Sequence, residues 1–453
     1  MKLRKYQKPM FKAACAAIDT DIKRSSYYAA TGAGKTEVFK AIIQHLFNVS
    51  VSAKVLVVHP RIALSLDQQE RFSREIEVPY TSFHSGEVLQ STTRDSVVNI
   101  KNVSTTSVEK IASILEEQSD NNHIVFTTYH SLPKIASMDF DLIICDEAHY
   151  LSTKQHAPSL GMFKGTVMFF TATPVTSSMD FSMDAIEQFG PVLGSVTPAS
   201  LIDGGYLVEP RLYWTKITTN QKGNHEDLTQ SIAQTFVSQA SMVHEDIPHK
   251  MLVAMPDTST FDGIMSQISD LRAITGQDVD LYYVTAGMNS RNGTRIKNRD
   301  ELLRQFKESS IPSIILHCDT LAEGIDIDGL TGAYIMRGLS QAKFVQTLGR
   351  VLRPWKEDFT DAGMPRAFSK RKKQFGLVNV AVVDGELRGS SDIMKWYEAL
   401  QAAEYNSIPV IFGSESTFGS NDGDGELIEK VQSRILDIEF ELASESRDNQ
   451  IGW

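Results

Sequence analysis

The chain is poor in cysteine: three (Cys15, Cys145, Cys318) in 453 residues. They stand far apart and follow no metal-ligand spacing, which excludes a disulfide scaffold and a zinc ribbon. Each suits a small core residue in a reducing compartment. Basic residues are not in excess either. Lys and Arg total 45 against 56 Asp and Glu, a net charge of −11. That balance argues against a protein coated in positive charge, but a local groove of basic groups, hydroxyls and backbone N–H groups is compatible with it. No apolar run is long enough to span a membrane. The opening MKLRKYQKPMFKAACAAID is too charged and mixed for a secretion signal, and no short-period repeat is present. These absences lead us to expect a cytoplasmic protein with no membrane partner. The remaining composition, 42% hydrophobic and 22% charged, is that of a globular protein with room for two or three domains.

Hydrophobic patterning then gives an order. Lys54–His59 (KVLVVH), His123–Thr128 (HIVFTT), Phe140–Cys145 and Thr166–Thr171 (TVMFFT) read as buried strands, and Ile62–Glu75 as a helix. Ser26–Ala30 is a weaker strand by composition. After LIDGGYLVEP (Leu201–Pro210), whose glycines and proline mark a linker, a second series follows. Lys250–Met255, Asp280–Val284, Ser313–His317, Gly332–Met336 and Leu377–Val383 read as strands, and Asp300–Glu308 as a helix. Strands alternating with helices predict parallel sheets covered on both faces. The expected fold is α/β, two tandem doubly wound lobes over 1–205 and 206–400. An acidic appendage over 401–453 follows, with an amphipathic helix at Glu426–Leu442. The basic run Lys370–Lys373 reads as a solvated loop that could brush a phosphate backbone.

Three motifs carry chemistry, the first two directly after a strand, where ligands of such sheets bind. Thr31-Gly32-Ala33-Gly34-Lys35-Thr36 turns tightly enough to aim backbone N–H groups at phosphate oxygens. Lys35 would reach the β- and γ-phosphates of ATP, and the Thr36 hydroxyl would bind Mg²⁺. A strict P-loop has a further glycine upstream, at Ala29 or its neighbour, so the full pattern fails. Asp146-Glu147-Ala148-His149 supplies the partner acids: Asp146 for Mg²⁺, Glu147 to orient and deprotonate water. His149 could bind water at the phosphate site or simply pack. Gln346–Arg353 (QTLGRVLR) supplies cations from a distance. Arg350 and Arg353, three residues apart, are expected on one helix face, aimed at the γ-phosphate if a second lobe brings them there.

With these motifs in this order, the chain resembles superfamily 2 helicases with a DEAH box, in the style of the type III restriction subunit, UvsW and XPB-like translocases. The resemblance covers roughly residues 2–385. It implies two RecA-like domains. It also implies an adenine-reading motif at LRKYQ, with Arg4 and Gln7 on the base. HPRIALSLDQ matches motif Ia, where Arg61 would contact nucleic acid. FTTYHSL brings Thr127 and Thr128 to a backbone phosphate, and Thr285 joins them as a further contact. TATP (Thr171–Pro174) resembles motif III, whose hydroxyls, Thr171 and Thr173, would link the ATP site to the groove together with His149. MLVAMPD (Met251–Asp257) sits where motif IV would. HCDTLAEGIDIDGL resembles motif V, with Gly324 and Asp326 facing the nucleotide. Gln346, which opens QTLGRVLR, joins the catalytic set. Cys318 replaces a threonine that relatives use on the backbone, so Thr320 or a backbone N–H would take that contact. The hydroxyls of Thr127, Thr128, Thr173 and Thr285 could equally serve as strand or capping groups.

The implied activity is an ATP-dependent nucleic-acid helicase or translocase, with DNA favoured over RNA. Two alternatives stand beside it. One is a duplex translocase subunit of a restriction, defence or repair complex that does not unwind. The other is a non-motor scaffold with a relict ATP site. The acidic tail is a candidate docking segment for a protein partner, or simply a solubilising end.

Overall fold

The computed structural model describes residues 3–84, 103–174, 182–217, 225–255, 278–285, 287–318, 329–339 and 341–383. The tail 401–453, its expected helix, and motif residues Asp257, Thr320, Gly324 and Asp326 lie outside the described residues.

The first lobe is an eight-stranded sheet with every described pairing parallel. Its strands are β1 (Arg24–Ala29), β2 (Lys54–His59), β3 (Tyr80–Phe83), β4 (Val103–Thr105), β5 (His123–Thr128), β6 (Leu142–Asp146), β7 (Thr166–Thr171) and β8 (Val192–Val196). They run in the order β4-β3-β5-β2-β6-β7-β1-β8. Its helices are α1 (Gln7–Asp19), α2 (Lys35–Val49), α3 (Ile62–Ser73), α4 (Val108–Glu117), α5 (Ile186–Phe189) and α6 (Pro198–Asp203). The central strands are buried from end to end because both faces are covered. Side chains alternate between two cores with the period of two that a strand imposes. Val55, Val57, Ile144 and Phe170 enter one core, and Leu56, Val58, Ile143 and Phe169 the other. Helix α2 belongs to the first of these. Val38, Phe39, Ile42, Ile43 and Leu46 recur at helical spacing and are buried, each worth about 1.5–3 kcal/mol.

The second sheet has the order β13-β12-β11-β14-β10-β15-β16-β9. Its strands are β9 (Glu209–Ile217), β10 (Lys250–Ala254), β11 (Asp280–Val284), β12 (Asn289–Arg291), β13 (Thr294–Arg295), β14 (Ser313–His317), β15 (Gly332–Ile335) and β16 (Phe375–Val383). Only the β11–β12 and β12–β13 pairings are antiparallel among the described residues. Helices α7 (His225–Ala240), α8 (Arg299–Glu308) and α9 (Gln341–Val351) cover it. One of its cores is continuous with the first lobe's: Leu252, Ile315, Phe344 and Leu348 join the cluster that holds Val55 and Phe39.

The segment read as a linker, Leu201–Pro210, is more ordered than its glycines suggest. It contains the end of α6 and a turn at Gly205, where φ is +73°, and Glu209 already begins β9. Pro210 fits there because β9 is an edge strand, where a missing N–H goes unnoticed. The Arg353 expectation also changes. Helix α9 ends at Val351, so Arg350 is helical and Arg353 is not. The cause is Pro354, which disfavours helical backbone at the residue before it. Nor is the basic run uniformly solvated, since Lys373 is 3% exposed.

Candidate active site

The glycine loop between β1 and α2 uses two left-handed residues, Gly32 (φ +89°) and Gly34 (φ +73°). A side chain at Gly34 would also strike the Gln7 amide, 2.7 Å from where its Cβ would sit. Helix α2 opens directly after Gly34 with no side-chain cap. Its first N–H groups and the positive end of its dipole therefore suit an anion.

Two strands away, β6 ends on the acids. Asp146 is 4% exposed. Gln68 Nε2 donates to its Oδ2 at 3.3 Å, Glu147 N donates to its Oδ1 at 3.0 Å, and His59 Nδ1 stands 3.6 Å from Oδ2. Burial alone would raise the carboxyl's pKa. The His59 contact and the Lys35 charge outweigh it and hold Asp146 below the usual carboxylate range. An ionised, braced carboxylate and the Thr36 hydroxyl line the same cleft, and oxygen donors of this kind fit Mg²⁺. Glu147 adopts φ +50°, a conformation rare for a residue with a Cβ and the kind of local strain that clusters at functional sites. That turn directs its carboxylate to Lys35 Nζ at 2.9 Å. Burial would lower the Lys35 pKa, but Glu147 and Asp146 outweigh it and raise it, so the ammonium stays charged.

Beyond the acids, His149 Nδ1 lies 3.6 Å from Glu147 Oε2, 3.0 Å from Thr171 Oγ1 and 3.3 Å from Thr173 Oγ1. Strand β7 lies between β6 and β1, which is why its carboxyl end meets both motifs. A contiguous polar path thus runs from Lys35 through Glu147 and His149 to Thr171 and Thr173.

The second lobe closes the site. One cleft of about 460 Å³ is lined by Thr31, Lys35, Thr36, Asp146 and Glu147 from the first lobe and by Gln346, Arg350 and Arg353 from the second. The volume suits a nucleotide-sized ligand. Contact is close: a Cβ on Gly349 would lie 2.4 Å from Thr31 Cβ, and one on Gly32 would lie 3.7 Å from Gly349 O. Gln346 Oε1 and the Thr31 hydroxyl are buried polar groups with no hydrogen-bond partner among the described residues. Burial and the nearby Arg71 push the Arg353 guanidinium down to about 10, still cationic at neutral pH.

Family comparisons agree with this division of labour. Residues 1–176 match the family described as type III restriction enzyme, res subunit, and residues 234–354 match the helicase conserved C-terminal domain. The chain belongs to the superfamily 2 helicases. Among curated relatives of this helicase, the DNA 3'-5' translocase XPB2 of Sulfurisphaera tokodaii is 21% identical over 73% of the chain and 75% of its own length. A Schizosaccharomyces pombe protein described as a mitochondrial ATP-dependent helicase, irc3, is 22% identical over 73% of the chain and 51% of its own length. Among solved structures, the ATP-dependent type ISP restriction-modification enzyme LlaBIII bound to DNA shares the fold. The TM-score is 0.68 at 18% identity, over 95% of this chain and 32% of that one. The chain thus spans about half of irc3 and a third of LlaBIII.

The helicase's remaining motif residues have mixed placements. Gln7 and Arg4 line the cleft. Gln7 Nε2 donates to Ala33 O (2.9 Å) and Gly34 O (3.2 Å), so this amide braces the glycine loop. Arg4 stacks over Tyr206 and Phe359, 5.2 and 5.0 Å from the ring centroids. Arg61 is exposed just ahead of α3. Thr127 is fully buried and donates to Phe83 O at 2.9 Å, a strand role, and Thr128 is 5% exposed. Thr285 Oγ1 accepts from Met288 N at 2.9 Å and so shapes its own turn. Cys318 is half-buried, 3.8 Å from Arg337 Nη1. Sequence reasoning missed His59 and Gln68 as supports of Asp146, although both lie within the motif Ia stretch. It also missed Tyr206 and Phe359, which no local pattern marks.

Proposed function

We propose that the chain is an ATP-dependent DNA helicase or translocase, with lobes over 1–205 and 206–400. The observation that carries this is the single cleft lined by Lys35, Asp146 and Glu147 on one wall and by Arg350 and Arg353 on the other. ATP lies between the walls, its phosphates on the loop N–H groups and on Lys35. Mg²⁺, held by Thr36 and Asp146, would neutralise charge on the phosphate oxygens. Glu147 orients the attacking water and takes its proton. For that, its bond to Lys35 must loosen as Lys35 turns to the phosphates. Arg350 and Arg353 stabilise the charge that spreads over the transferred phosphoryl group, an effect worth ~10³–10⁵ in rate in arginine-finger systems. Gln346 offers its amide to the same site.

Turnover removes the charge that holds the walls together, and the lobes part. The path through His149, Thr171 and Thr173 links that event to the groove. There Arg61, Thr128 and the turn at Thr285 are proposed contacts to the nucleic-acid backbone. Backbone grips give weak sequence preference and strong salt dependence. The names of XPB2 and of DNA-bound LlaBIII support DNA over RNA. The deciding experiment measures ATP turnover with duplex, single-stranded and branched DNA and with RNA, in the wild type and in Lys35→Ala. DNA-stimulated turnover that vanishes in Lys35→Ala is expected; equal turnover with and without polynucleotide would refute the motor. Strand-displacement and triplex-displacement assays then separate unwinding from translocation on duplex.

A further inference from the structure

Arg353 stands past the last helical residue of α9 and just before Pro354, tied back to the helix by a long bond from its N–H to Arg350 O at 3.5 Å. Its turn is also held at every carbonyl from Val351 to Arg353. Lys373 Nζ donates to Val351 O at 2.6 Å and to Arg353 O at 2.5 Å, and Val208 N donates to Leu352 O at 2.9 Å. The same ammonium donates to Leu330 O at 2.5 Å, just ahead of β15. A buried ammonium is stable only if its donors are filled. Three donors meet three converging oxygens here, a match that the planar fork of an arginine could not make. The position at the end of α9 also favours a cation.

The surroundings add rigidity. Asp358, 1% exposed, accepts from Trp355 N at 3.0 Å and from Lys373 N at 3.2 Å. It therefore ties both ends of the loop after Arg353 together. Gly376, at the start of β16, is pressed against the turn: a Cβ there would lie 3.0 Å from Val351 O and 2.5 Å from Leu352 Cδ2. The basic run thus contributes one residue to the interior, directly beneath the cleft's arginine.

We propose that Lys373 is a positioning residue for Arg353, holding the arginine turn at the height the cleft requires. It touches no reacting atom, and the inference rests on the active-site reading above. The experiment uses the full chain and duplex-stimulated ATP turnover, with Lys373→Met placed in the wild type and in Arg353→Ala. A displacement of the guanidinium by about 1 Å lowers kcat by roughly 10²-fold. KM for ATP should stay within about threefold, and the further loss in Arg353→Ala should be no more than about threefold, because the two residues act through one contact. Amide exchange should rise at 351–355 and not in β15. Equal fractional losses in both backgrounds, or an unchanged kcat, would overturn the proposal. If Arg353→Ala turns over like the wild type, the active-site reading falls and this inference with it. If Arg353→Ala is impaired and Lys373→Met is not, only this inference falls. Should Lys373→Met not fold, Lys373→Gln, which keeps two donors, is expected to show an intermediate kcat at unchanged KM. Wild-type turnover in that variant would equally overturn the proposal.

Discussion

Replacing Gly349 by alanine should uncouple the lobes without weakening either. Gly349 lies in α9, where alanine is favoured over glycine by about 1 kcal/mol, so the second lobe by itself should be at least as stable. Across the cleft the effect is opposite. The new Cβ would meet Thr31 Cβ at 2.4 Å and Thr31 Cγ2 at 2.7 Å, whereas carbon atoms settle near 3.5–4.0 Å. Thr31 Cβ is fixed to the glycine loop, so relief requires the walls to part by roughly 1 Å. That separation carries Arg350 and Arg353 away from the phosphates and should cost about 10²-fold in kcat. Steady-state ATP turnover with saturating duplex DNA reads the loss, fluorescent-nucleotide binding reads affinity, and urea unfolding reads stability. Gly161→Ala, where a Cβ would meet nothing within 4 Å, is the control. A Gly349→Ala enzyme with kcat within twofold of the control would show that the loop and α9 do not approach this closely in the working enzyme.

Two further outcomes are expected. His149→Ala removes the group between Glu147 and the threonine pair while leaving the acids in place. ATP turnover should fall by less than about tenfold, but the ATP consumed per base pair displaced should rise several-fold; a proportional loss of both activities would contradict a coupling role. Acid should destabilise the fold through His123 and His249, whose pKa values burial lowers to about 4 and about 3. The sign follows from the depressed values: this stability is full above about pH 6.5, where the free ring titrates, and is lost as pH falls towards 4 and 3. By pH 5 each histidine should remove ~2 kcal/mol. Urea midpoints at pH 7 and 5 measure the loss, and a His249→Gln slope identical to the wild type's would refute that share of it.

Much of this architecture is legible in the chain because its central strands are covered on both faces. KVLVVH and HIVFTT announce themselves as apolar runs, and they form β2 and β5. The strands that escape notice lie at the sheet edges or one place in from them, as Tyr80–Phe83 does. Val103–Thr105 is too short to show a period, Val192–Val196 is only partly covered, and β9 hides behind the proline at its second position. The site divides in the same way. Phosphate chemistry demands fixed spacing, so Lys35, Asp146, Glu147 and Arg350 stand out. The supports of that chemistry do not, because their roles depend on burial of polar groups by distant segments. Lys373 looks like one solvated cation among four, and His59 and Gln68 look like filler in a helix approach. The departure of Arg353 from α9 was available in Pro354 all along.

The most direct test of the central claim, a cleft completed from both lobes, is the kcat of Arg350→Ala at saturating ATP and duplex DNA, with ATP affinity measured beside it. Arg350 is 5% exposed and lines the cleft from the second lobe. The account predicts a loss of about 10³-fold or more in kcat with ATP affinity changed only a few-fold. Turnover at the wild-type rate would contradict it.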